Sequence, residues 1–167
     1  VEAGMERLLH ELNERHGRKV SLVGWSLGGI YARMLANRHP DRVRNVVTLG
    51  SPLRGHAQST NAWRVYELVS GRSSRDPDRM RMVTPLPEMP TTSIFSRSDG
   101  VVAWQCSLND PGPQAENIEV LASHIGLGAH PAVLYALADR LAQPEGGWAP
   151  FDSKLLGPLV YPDPTRA

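Results

Sequence analysis

Residues 20–32, Val-Ser-Leu-Val-Gly-Trp-Ser-Leu-Gly-Gly-Ile-Tyr-Ala, set the tightest limit on what this chain can fold into. A β-branched apolar run ends at Gly24, Ser26 stands between glycines, and an apolar face at helical spacing begins at once. Strand, abrupt turn, helix is the reading that satisfies all three. A turn this sharp strains the residue at its apex, and the sequence predicts that glycines at 24 and 28 remove side chains that would strike the strand and the helix. Gly24-Trp25-Ser26-Leu27-Gly28 thereby presents the Ser26 hydroxyl at the edge of a sheet and aims the Leu27 N–H at the space before it. Glycine-rich strand–helix turns also bind phosphate, so the motif alone leaves both chemistries open.

The surrounding pattern fixes the fold class. Met5, Leu8, Leu9 and Leu12 fall on one face of a helix over 2–16, and Lys19–Gly24 is a short strand. The helix after Ser26 carries Leu27, Ile30, Tyr31, Met34 and Leu35 on one side and stops before Pro40. Strands follow at Val43–Gly50, Thr91–Ser96 and Asn117–Leu121, and a last helix runs from Pro131 to about Gln143. Alternation of this kind predicts an α/β fold, a parallel sheet covered by helices on both faces, with chemistry at the C-terminal strand ends. The 167 residues, 41% hydrophobic and 21% charged, are enough for one domain with its own core, residues 1–167.

Those strand ends carry the partners that a serine nucleophile needs. A hydroxyl becomes reactive when an imidazole takes its proton, and a carboxylate fixes that imidazole's tautomer. Asp99 follows the Thr91–Ser96 strand, and His124 follows the Asn117–Leu121 strand. Asp76, Asp78 and Asp110 have no strand leading into them, and His130 reads as a helix entry before Pro131. Ser51 reads as a turn residue, and Cys106 has no His or Asp in a nucleophile pattern, so it is expected to be inert.

With these residues in view, the chain resembles the α/β-hydrolase superfamily, in particular bacterial esterase and lipase-like serine hydrolases. The cues are Gly24-Trp-Ser-Leu-Gly-Gly29, His39-Pro-Asp-Arg-Val43, Thr48-Leu-Gly-Ser-Pro52, Ser98-Asp-Gly-Val-Val102 and Ser123-His-Ile-Gly-Leu-Gly128. The chain order Ser26, Asp99, His124 is the one that fold requires. The resemblance implies a carboxylic ester hydrolase acting on a small-molecule acyl ester, with no metal or organic cofactor. Acyl transfer or thioester cleavage on the same fold is the alternative, as is a fragment or binding module lacking a full oxyanion hole.

By family order Lys19–Gly24 is the fifth strand and the sheet holds strands five to eight. Strands one to four, with the loop bearing a second oxyanion donor, are then missing, and the first residue is Val1 rather than Met. The domain is therefore expected to be N-terminally incomplete, and its Lys19–Gly24 edge to self-associate or pair with a missing N-terminal segment. Residues 53–90 fall where such hydrolases insert a cap or lid, and Trp63 and Tyr66, with Trp25 and Leu27, are expected to bind substrate.

A formal net charge of +1 and the absence of a basic helix or zinc-finger spacing argue against a nucleic-acid partner. No apolar run spans a bilayer. The lone Cys106 leads to the expectation of a reducing, cytoplasmic location.

Overall fold

The computed structural model describes residues 2–54, 85–153 and 156–166. Its elements are α1 (Glu2–His16), β1 (Val20–Trp25), α2 (Leu27–Arg38), β2 (Val43–Leu49), β3 (Thr91–Phe95), β4 (Ala115–Glu119) and α3 (Pro131–Ala142). The four strands form one sheet in the order β1-β2-β3-β4, every neighbour pair parallel. This is the α/β arrangement expected from the alternation of apolar runs.

Two separate apolar clusters show that both faces are covered. Leu9 of α1 and Ala32 and Ala36 of α2 pack on Val43 and Val46. On the other face Val47, Leu49, Ile94 and Ile118 meet Ala132, Val133 and Ala136 of α3. The α1 stripe is narrower than its periodicity predicts: Leu9 is buried, whereas Leu8 is 53% exposed. The α3 entry follows the sequence closely, with the His130 side chain accepting from Ala132 N–H ahead of Pro131.

The strand before His124 lies two residues earlier than its apolar residues suggest. Pairing with Thr91–Phe95 recruits Ala115–Glu119, and Leu121 is left 65% exposed beyond it. Polar residues of that strand are absorbed by partners. The Glu116 carboxylate accepts from Thr92 Oγ1, from the Arg140 guanidinium and from Phe151 N–H at 2.7–2.8 Å. The Glu119 side chain, with no exposure, lies 3.2 Å from Arg97 and 2.6 Å from Arg166. Arg97 also covers the Trp104 ring at 4.0 Å. Asn109 joins β3 to β4 by donating to Thr91 and Glu116 carbonyls, and accepts from the Arg33 guanidinium, whose pKa burial pushes down to about 10.

Among the described residues no helix is long and apolar enough to cross a membrane. The chain leaving β2 stays close to the core, since Leu53 is fully buried and both Leu53 and Arg54 donate N–H to the Cys106 carbonyl. Burial pushes the Cys106 thiol up, which lowers its thiolate fraction. Cys106 is therefore expected to react slowly with a disulfide reagent in the folded protein and fully in urea, a contrast that a timed thiol titration measures.

Candidate active site

Ser26 lies at the junction of β1 and α2 with φ 53° and ψ −125°, the one non-glycine residue among those described with a positive φ. Such a backbone costs about 1–3 kcal/mol, so the surroundings must enforce it. They do so through Ser26 N–H, which donates to Leu49 O at 2.8 Å, and through contact of the strand end with the helix start. A serine at the start of a helix ordinarily caps it. Here the hydroxyl makes no capping bond and lies 3.0 Å from His124 Nε2.

The small residues around Ser26 have unequal tasks, and one expectation is corrected. A Cβ on Gly24 would fall 2.4 Å from Gly28 O and 2.5 Å from Gly29 Cα. Among the described residues a Cβ on Gly28 would meet nothing within 4 Å, so Gly28 does not avoid a collision with the strand. That requirement belongs to Gly29, whose Cβ would sit 2.1 Å from Ser51 Oγ. The reason is the direction of the helix: position 29 faces the sheet and position 28 faces away from it. Ser51, fully buried beneath the turn, thus packs against the Gly29 backbone.

Asp99 and His124 come together from the ends of β3 and β4. His124 Nδ1 is 2.8 Å from Asp99 Oδ2. The other carboxylate oxygen, Oδ1, accepts from Val101 N–H at 2.9 Å and Val102 N–H at 2.7 Å, which fixes the carboxylate's plane. A carboxylate acceptor puts the imidazole proton on Nδ1 and leaves the Nε2 lone pair for the Ser26 O–H. The pair is buried, with Asp99 at 5% and His124 at 7% exposure. The arrangement can carry a proton from Ser26 Oγ to an oriented imidazole.

Leu27 opens α2, and the leading amides of a helix have no partner within it. Its N–H is available to a negative oxygen near Ser26. The Trp25 indole N–H donates to His124 O at 3.1 Å, and its ring lies 5.9 Å from the imidazole. Trp63 and Tyr66, with most of the 53–90 segment, lie outside the described residues. Asp110 pairs with Arg54 at 2.6 Å, and His130 serves its helix cap.

Gly50, read from the sequence only as the last residue of the Val43–Gly50 strand, sits against the site. Its φ is +51°, and a Cβ there would lie 2.6 Å from Leu127 Cδ1 and 2.9 Å from Asp99 Oδ2. Glycine at the C-terminal end of a strand, one strand away from Ser26, is the signal that would have found it. Gly50→Ala is expected to cost about 2 kcal/mol through strain and overlap. It should also displace the Asp99–His124 pair, seen as loss of the low-field imidazole proton resonance, with urea unfolding measuring the stability change.

The family model for the α/β-hydrolase fold matches residues 5–68. The bifunctional biotin-biosynthesis protein BioHC of Teredinibacter turnerae is 36% identical over 47 residues, 28% of this chain and 8% of that protein. The poly(3-hydroxyalkanoate) polymerase subunit PhaC of Allochromatium vinosum is 42% identical over 50 residues, 29% of this chain and 14% of that subunit. The chain thus aligns with under one-sixth of the length of either curated relative. The lipase BlEst2 of Bacillus licheniformis superposes with a TM-score of 0.60 at 18% identity, covering 84% of this chain and 72% of the lipase. The matched family model and the shared parallel sheet fit an α/β-hydrolase family member, with the described residues forming part of that fold.

Proposed function

We propose that the chain is a serine hydrolase that cleaves carboxylic esters through an acyl-enzyme on Ser26. The observation that carries this reading is the continuous series from Ser26 Oγ to His124 Nε2, 3.0 Å, and from His124 Nδ1 to Asp99 Oδ2, 2.8 Å. The α/β-hydrolase fold supports a hydrolase, and the likeness to the lipase BlEst2 agrees with an ester as the bond cleaved.

In this mechanism His124 Nε2 takes the proton as Ser26 Oγ bonds to the carbonyl carbon. The carbonyl electron pair moves onto oxygen, where the Leu27 N–H and the start of α2 stabilise it. When the tetrahedral carbon collapses, the ester C–O bond breaks and the departing alkoxide takes the proton from His124. Water then attacks the acyl carbon with His124 again accepting a proton. The acid leaves, and Ser26 Oγ recovers its proton. Asp99 holds the imidazole throughout.

A second reading, transfer of the acyl group to an alcohol or thiol, draws support from the likeness to a polymerase subunit over 50 residues. Product analysis with short p-nitrophenyl esters, run with and without added alcohol and thiol acceptors, separates the two. Free acid alone fits the hydrolase; acyl products that scale with acceptor overturn it in favour of transfer. No turnover, together with no fluorophosphonate adduct on Ser26, overturns both.

The partner reading concerns the edge of the sheet. β1 pairs with β2, and among the described residues no strand pairs with its other side. Val23 and Trp25 are 45% and 44% exposed there. An open edge of this kind accepts a strand from a second copy or from an N-terminal segment of the protein. Light scattering behind size exclusion is expected to find association of this chain that Val23→Lys weakens. A monodisperse monomer at all concentrations would count against self-association.

A further inference from the structure

We propose that Trp25 is a positioning residue that holds His124 in register with Ser26, an inference that rests on the serine-hydrolase reading and deepens it. Among the described residues, His124 is held at four polar points. Its N–H donates to Asp99 O at 3.0 Å, Nδ1 faces Asp99 Oδ2, and Nε2 faces Ser26 Oγ. The fourth point is its carbonyl, which accepts the Trp25 indole N–H at 3.1 Å. Three of these are made with Asp99 and Ser26 themselves. Among the described residues, Trp25 adds the one side chain from outside that series.

The chain around His124 explains why a tether matters. Ile125, beside it, is 78% exposed and draws little burial energy from the core. The chain is anchored at Ala122, 8% exposed and two residues before His124, and at Leu127, fully buried and three residues after it. Trp25 adds a restraint at His124 itself, between those anchors. Its ring lies 5.9 Å from the imidazole at a 34° tilt, and a Cβ on Gly128 would be in ordinary contact with it at 3.8 Å.

Sequence adjacency strengthens the restraint. Trp25 and Ser26 are consecutive, and they hold the backbone and the ring of one histidine. Nucleophile, imidazole and indole therefore form a closed loop of one covalent link and two hydrogen bonds. Movement of the His124 loop away from Ser26 breaks the indole bond as well as the Ser26 bond. Trp25 is 44% exposed, so burial does not by itself account for so large a side chain at this strand end. Phenylalanine would supply the ring contact without the N–H donor.

The test replaces the indole N–H without changing its shape, by incorporating benzothienylalanine at position 25 of the full chain, beside Trp25→Phe. Thermal melts first establish that both variants fold. Amide hydrogen exchange at His124 and the rate of Ser26 phosphonylation by a fluorophosphonate are then measured. Loss of one such bond corresponds to about a fivefold effect. The expected result is that His124 exchanges about fivefold faster and that the maximal labelling rate falls about fivefold, with half-saturation by probe unchanged. Exchange and labelling equal to those of the unaltered chain would overturn the tether. Faster exchange in a protein whose Ser26 never labels, even unaltered, would support the tether and overturn the hydrolase reading instead.

Discussion

Ser26→Ala and His124→Ala are each expected to lower ester turnover at least about 10⁴-fold, since a triad acts as a unit and removing either member removes most of its effect. Ser26→Ala leaves no atom for the acyl group, and His124→Ala leaves the hydroxyl without a base. Asp99→Asn keeps the shape but lets the amide donate to Nδ1. That places the imidazole proton on Nε2, facing Ser26, and a loss of about 10⁴-fold is again expected. Intact-mass analysis after fluorophosphonate treatment reads all three against the unaltered chain. Stability should move differently. Ser26→Gly relieves the φ of 53° and should exceed Ser26→Ala by about 1 kcal/mol in urea unfolding, because alanine inherits the strain. Equal activity in Ser26→Ala and the unaltered chain would end the proposed mechanism.

Gly24→Ala and Gly28→Ala, four residues apart in one motif, are expected to have opposite effects. At position 24 the new methyl would overlap backbone atoms at 2.4–2.5 Å, and neither the strand nor the helix can withdraw without separating the turn. A loss of about 3 kcal/mol or more is expected, a large share of a typical domain's stability. At position 28 the methyl enters open space within α2, where alanine is the better helix former. That substitution should stabilise by a few tenths to about 1 kcal/mol. Two urea midpoints decide it, and comparable losses at both positions would refute the packing described for the turn.

The contrast between those glycines shows what a linear sequence can convey. Local periodicity was enough to place α1, α2, β2 and α3 within a residue or so, because each depends on side chains within one or two turns. Ser26, Asp99 and His124 were legible because each follows a strand end, and a parallel sheet brings those ends together. The limits of β4 were less legible: Ala115 and Glu116 are not apolar, and they become strand by pairing with Thr91 and Thr92. Gly29, Gly50 and the Trp25 indole escaped for a related reason. Their tasks are defined by Ser51, Asp99 and His124, which lie 22 to 99 positions away.

The all-parallel pairing of the sheet also governs when the site can come into being. Each strand must be linked to the next by a crossover, so no hairpin can bring Ser26, Asp99 and His124 together early. The Ser26–His124 contact spans 98 positions, and forming it requires closure across all four strands. Contacts of such range form slowly, since the entropy of loop closure is lost before their energy is gained. On refolding, helical signal should therefore return ahead of reactivity toward a fluorophosphonate. The interval between the two is the lifetime of a chain that already holds its secondary structure but has not yet brought Ser26 against His124.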